Sequence, residues 1–141
     1  MADLQEASVT LPSDPGSVAT ARSYVCARLG EWGVPPDAPL DSIRLMVSEL
    51  ATNAVLHTCG LSPDFTIDLR LERTEHLRIG FTDGHPRWPR EVPLAAEQDS
   101  GRGMVIVCHL LAEFGGRLDI TPTSDGGKTV WIMLPWAAPV L

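Results

Sequence analysis

The chain has no long apolar run, no basic leader, no cysteine framework and no excess of positive charge, and each absence removes a class of protein. A membrane-spanning helix needs roughly 18 or more consecutive apolar residues, and no stretch approaches that. Met1-Ala2-Asp3-Leu4-Gln5-Glu6 lacks the basic start and apolar core of a signal peptide, so a cytoplasmic location is expected. Cys26, Cys59 and Cys108 are odd in number and widely spaced. They suit neither a disulfide framework nor a zinc site and read as reduced packing residues. A formal charge of −7 argues against a binder of nucleic-acid backbones. It leaves room for a small anion held by local contacts, and it favours a basic protein partner.

What is present is an ordinary globule. With 141 residues, 44% of them apolar and 21% charged, the chain reads as one domain with a proper core. Residues 6–12 alternate weakly and read as an edge strand. Asp14-Pro15 reads as a helix cap, followed by Val18, Ala21, Val25, Leu29 and Trp32 at helical spacing, with Gly33 and Pro35-Pro36 ending the helix. A second helix is predicted from Ala38 to Thr58, its stripe Ile43, Met46, Val47, Leu50 and Ala54, stopped by Gly60. Residues 65–72 and 76–83 alternate cleanly and form a hairpin through Thr74-Glu75. Residues 84–100 hold Pro86, Pro89 and Pro93 without periodicity and read as a lid or binding loop. Gly101-Arg102-Gly103 then opens a third helix, Met104 to Glu113, apolar nearly all round and so expected to be buried. Strands near 115–121 and 128–134, joined by Ser124-Asp125-Gly126-Gly127, close the chain. The expected fold is α+β: a two-layer sandwich with helices on one face of a mainly antiparallel sheet.

Four places carry possible chemistry. Glu49 and Asn53 lie four apart on the second helix and stack beside its apolar stripe. A carboxylate there can act as a general base, and a carboxamide oxygen is a hard donor suited to magnesium. The plainer reading is a solvated helix flank. In Asp83-Gly84, Asp83 shares the parity of Leu77, Ile79 and Phe81 and points at the covered face, where a buried carboxylate needs donors. A purine amino group is one such donor; an Asp-Gly turn into water is the alternative. Gly101-Arg102-Gly103 before a helix offers free amides to an anion, or is plain helix entry. Gly127-Lys128-Thr129 invites a P-loop reading that fails, because Pro122 stands where the first glycine is required and a strand follows. No third glycine completes a dinucleotide fingerprint after Gly103. His57 reads as a core histidine, His85 falls in the loop, and His76 and His109 have no partner at metal-ligand spacing.

The order of these elements is more specific than any one of them. Glu-x-x-x-Asn-Ala-x-x-His on a helix, a strand ending Asp-Gly, a proline-rich loop, Gly-x-Gly and a final Gly-Lys-Thr resemble the histidine-kinase-like ATPase superfamily. Within it the chain resembles the small anti-sigma-factor serine/threonine kinases of bacteria, especially the short ATP-binding regulators of actinomycetes. The resemblance covers roughly residues 15–135 and is most specific at Val47–Ala54. It implies ATP with Mg2+ as ligands, Glu49 as catalytic base, Asn53 on the metal and Asp83 on the adenine amino group. It also implies Gly84, Gly101, Arg102, Gly103 and Met104 around the nucleotide, residues 84–100 as ATP lid, and Thr129 near the adenine. Implied partners are a sigma factor, an anti-anti-sigma antagonist as phosphoacceptor, and a second copy in a homodimer. Two departures stand out. The first glycine box reads Asp83-Gly84-His85-Pro86-Arg87, without its later glycines, so the loop runs differently there. None of Gln98, Asp99 and Ser100, which lead into Gly101, is basic, and the nearest arginine is Arg102, so phosphate charge is compensated more weakly or elsewhere. The altered box leaves a non-catalytic ATP-dependent switch as the alternative to a kinase. A sensor-kinase fragment ranks last, since no dimerisation helix with a phosphoacceptor histidine is present.

Overall fold

The computed structural model describes residues 4–34, 38–58, 63–72, 75–83, 94–124 and 126–136, with the side chains of residues 38, 57–58 and 94–102 excepted. Its elements run β1 (Leu4–Pro12), α1 (Gly16–Glu31), α2 (Ala38–Thr58), β2 (Asp64–Glu72), β3 (His76–Asp83), α3 (Leu94–Glu113), β4 (Arg117–Pro122) and β5 (Lys128–Pro135). The expectations for Pro35-Pro36, Cys59, Gly60, Thr74, Gly84, His85 and Asp125 lie outside the described residues, as does that for the side chain of His57.

The five strands form one sheet in the order β1-β2-β3-β5-β4, and every neighbouring pair is antiparallel. Period-two alternation decides its faces. Phe65, Ile67, Leu69 and Leu71 of β2, Leu77, Ile79 and Phe81 of β3, and Val130, Ile132 and Leu134 of β5 are all buried under the helices. The residues between them lie on the opposite, open face. α2 packs between α1 and α3 and over β2 and β3, while α1 reaches β1 and α3 reaches β4 and β5. Ala21, Val25 and Leu29 of α1 and Ile43, Met46, Val47, Leu50 and Ala54 of α2 complete the core. The two-layer sandwich read from the sequence is therefore the fold.

Four local readings are corrected. Asp14 does not cap α1 with its side chain; its carbonyl accepts the Ser17 amide at 3.0 Å, while the Ser17 hydroxyl reaches back to the carbonyl of Pro12. The third helix starts at Leu94, not at Gly101. Pro93 is the last breaker, and Leu94-Ala95-Ala96-Glu97-Gln98 are strong helix formers. Each glycine that follows costs only about 1 kcal/mol against alanine, which a packed helix absorbs. Nor is α3 buried all round. Val107 and Leu111 are buried, but Val105 is 68% exposed and Ile106 37%, because a two-layer fold covers one side of each helix only. Cys108 lies on that same exposed side and is not a packing residue, whereas Cys26 is half-buried; both are free thiols.

Candidate functional site

The site begins on α2, whose register sends successive residues to different neighbours. Ser48 turns to α1: its hydroxyl accepts from Arg22 Nη1 at 3.2 Å and donates to the carbonyl of Arg44 at 2.9 Å. Thr52 donates to the carbonyl of Ser48 at 2.7 Å. Glu49, one residue on from Ser48, turns to α3. A Cβ built on Gly103 would lie 2.7 Å from Glu49 Oε2, so the carboxylate rests against the glycine backbone and any side chain there would displace it. Both residues are shielded, Gly103 being buried and Glu49 partly buried. Asn53, also half-buried, follows Glu49 by a little more than one helical turn on that flank. Two motif elements 54 positions apart in the chain thus meet in the cleft between α2 and α3.

The second part of the site is the end of β3. Asp83 lies on the helix-covered face, as its parity requires, and is 7% exposed. Its donor is one the sequence reading missed. Lys128, directly opposite on β5, places Nζ 3.1 Å from both Oδ1 and Oδ2, and the two side chains are 7% and 6% exposed. The signal was available, because Lys128 has the parity of Val130, Ile132 and Leu134 and so had to point inward. Weighing the triplet as a P-loop, and then by Thr129 alone, hid it. Burying either charge alone would be prohibitive, and removing one member of such a pair costs about 3–5 kcal/mol.

The remaining expected residues fall elsewhere. Thr129 lies on the open face of the sheet, where its hydroxyl pairs with that of Thr82 at 2.7 Å, so it does not converge with Asp83. Gly101, Arg102, Gly103 and Met104 lie within α3 rather than at its start. Interior helix amides are engaged by the preceding turn, so the free-amide anion site expected there is not displayed. The Met104 side chain is half-buried against the core. β5 begins at Lys128, which agrees with rejecting a P-loop.

Three further features lie apart from this cleft. Glu72, Glu75 and His76 bring their ligand atoms within 4.8 Å of one another at the far end of β3, a grouping that spacing alone did not suggest. Arg78 Nη2 stands 3.4 Å from His76 Nε2, however, and its positive charge opposes a cation there. A cavity of about 340 Å³ on the open face is lined by Glu6, Asp68, Arg70 and Trp131. His109 pairs with Glu113 at 3.5 Å on the exposed side of α3.

A helix bearing Glu49 and Asn53 lies over an antiparallel sheet whose central strand ends in Asp83, in a two-layer α+β sandwich. Residues 11–134 match the family described as the histidine kinase-like ATPase domain, and the chain belongs to that family. Comparison with curated proteins finds no match. Among solved structures, the chain is similar to the mycobacterial sensor histidine kinase MprB, at 19% identity over 71% of this chain and 76% of that one, with a TM-score of 0.54. It is similar to the catalytic domain of histidine kinase ThkA in a nucleotide-free form, at 13% identity over 94% of this chain and 99% of that one, with a TM-score of 0.58. It is also similar to full-length ShkA in complex with AMPPNP, at 21% identity, 94% coverage of this chain and a TM-score of 0.60, spanning 32% of that protein's length. At these identities the likeness concerns the fold. No helix among the described residues is long and apolar enough to cross a membrane.

Proposed function

We propose that this chain binds ATP with Mg2+ between α2, α3 and the end of β3, and acts as a cytoplasmic anti-sigma-type regulator. The observation that carries the reading is the seat of Glu49 against Gly103, a carboxylate on a side-chain-free backbone, with Asn53 about one turn further along the same flank of α2. That donor set fits the ligand. A carboxamide oxygen and a carboxylate are hard donors of the kind magnesium takes, and a glycine lets phosphates approach where any Cβ would intrude. The family membership and the AMPPNP complex of ShkA support the nucleotide.

The activity proposed is phosphotransfer from ATP to a serine or threonine of an anti-anti-sigma antagonist, with a sigma factor held inactive by the same protein. Phosphoryl transfer needs positioning and charge neutralisation more than covalent help from the protein. Glu49 takes the proton of the acceptor hydroxyl as its oxygen bonds the γ-phosphorus, the bond to the bridging oxygen breaks, and ADP leaves. Asn53 would hold the metal, which when bound would neutralise phosphate charge. Asp83 accepts from the adenine amino group. The bare backbone at Gly103, beside Glu49, leaves room for the phosphates.

A second reading has its own support. Gly101 to Met104 lie within a continuous helix, as suits a switch that changes shape on binding ATP without consuming it. Labelled γ-phosphate ATP with Mg2+ and candidate antagonist proteins decides between them. Phosphoserine or phosphothreonine on an antagonist supports the kinase. ATP binding without transfer supports the switch, and no binding at millimolar ATP ends both.

A further inference from the structure

The Lys128–Asp83 pair asks more of the fold than stability explains. Two apolar residues of similar volume at these cross-strand positions would continue the ladder from Phe81 and Val130, and such replacements of buried pairs are often neutral or stabilising. Instead an ammonium is held 3.1 Å from both oxygens of the carboxylate at the end of the central strand, facing the helices. The arrangement sets a hydrogen-bond donor beside an acceptor on two rigid strands.

An adenine edge has the complementary pattern. Its exocyclic amino group donates, and a ring nitrogen on either side of it accepts. A carboxylate has about four lone-pair sites and an ammonium three donors, so neither is exhausted by their mutual contact. A side-chain amide reads adenine by this same donor–acceptor juxtaposition, and here two residues supply it between them. We propose that Lys128 is a specificity-determining residue, donating to the ring nitrogen beside the amino group that Asp83 accepts. This rests on the nucleotide reading above and adds to it a residue of its own.

The test uses the whole chain and three nucleotides, ATP, 1-deaza-ATP and 7-deaza-ATP, titrated with Mg2+ by calorimetry. Each deaza analogue replaces one of the two flanking ring acceptors by carbon while keeping the amino group. The wild-type chain is expected to bind one of the two roughly tenfold or more weakly than ATP, the loss of one charge-assisted hydrogen bond. In K128M the preference between ATP and that analogue should disappear, because the donor is gone from both complexes. K128R keeps a cation beside Asp83, guarding against loss of the fold, and should retain a preference of altered size. Equal wild-type affinity for all three nucleotides overturns the assignment while leaving ATP binding intact, as does a preference undiminished in folded K128M. Failure of the wild-type chain to bind ATP at all is the separate result that removes the nucleotide reading itself.

Discussion

Gly103→Ala separates the site from the fold that carries it. An ideal Cβ there would sit 2.7 Å from Glu49 Oε2, 3.6 Å from its Cδ and 3.7 Å from its Cβ, against an ordinary contact of at least 3.4 Å. The carboxylate oxygen must therefore retreat by about 0.7 Å, the difference between those two distances. The atom that yields is the far end of a side chain, so twisting it off its rotamer costs only about 0.5–1.5 kcal/mol. Against that, alanine in a helix interior is favoured over glycine by about 0.5–1 kcal/mol. The two nearly cancel. The melting temperature should move by no more than about 2–5 °C in either direction. Function should not cancel. Misplacing a reacting group by about 1 Å costs up to about 100-fold, so phosphotransfer should fall roughly 10- to 100-fold. Paired thermal melts and labelled-ATP assays measure both. Unchanged transfer in a variant of unchanged stability would refute the idea that the α2–α3 contact positions Glu49.

Glu49→Ala removes the base but not the nucleotide contacts, so transfer should drop about 10²–10⁴-fold while ATP affinity holds; a switch would show no comparable change in output. Asn53→Ala should weaken ATP binding about 10–100-fold in magnesium and little in EDTA, which titration in both buffers compares. Gly80→Ala tests the open face: its Cβ would lie 2.7–2.9 Å from three atoms of the Trp131 ring, and overpacking should cost about 1–3 kcal/mol in denaturant melts. Tryptophan emission should shift with it.

Most of the framework was legible because two periodicities carry it. Alternation in residues 65–72 and 76–83 fixed the hairpin, its inward face and the inward direction of Asp83. The 3.6-residue stripe of α2 placed Glu49 and Asn53 on a half-buried flank. What was not legible depended on contacts between distant segments. Glycines 101 and 103 look like a helix entrance, yet the favourable run from Leu94 carries the helix through them. Thr129 and Lys128 differ by one residue; parity turns Lys128 inward, but only the registration of β5 on β3 sets it opposite Asp83 while its neighbour faces away. The exposure of Val105 and Ile106 follows from having two layers rather than three, which the local pattern of α3 does not encode.

Asp83 closes the middle strand of the five, flanked by β2 on one side and β5 on the other. Amide exchange should accordingly be slowest along β3 and much faster through the glycine-bearing turns of α3. A molecule spanning both regions would grip a fixed wall with its base and a yielding one with its phosphates. On the nucleotide reading proposed above, closing the yielding side would be felt along the exposed flank of α3, where Val105 and Ile106 lie.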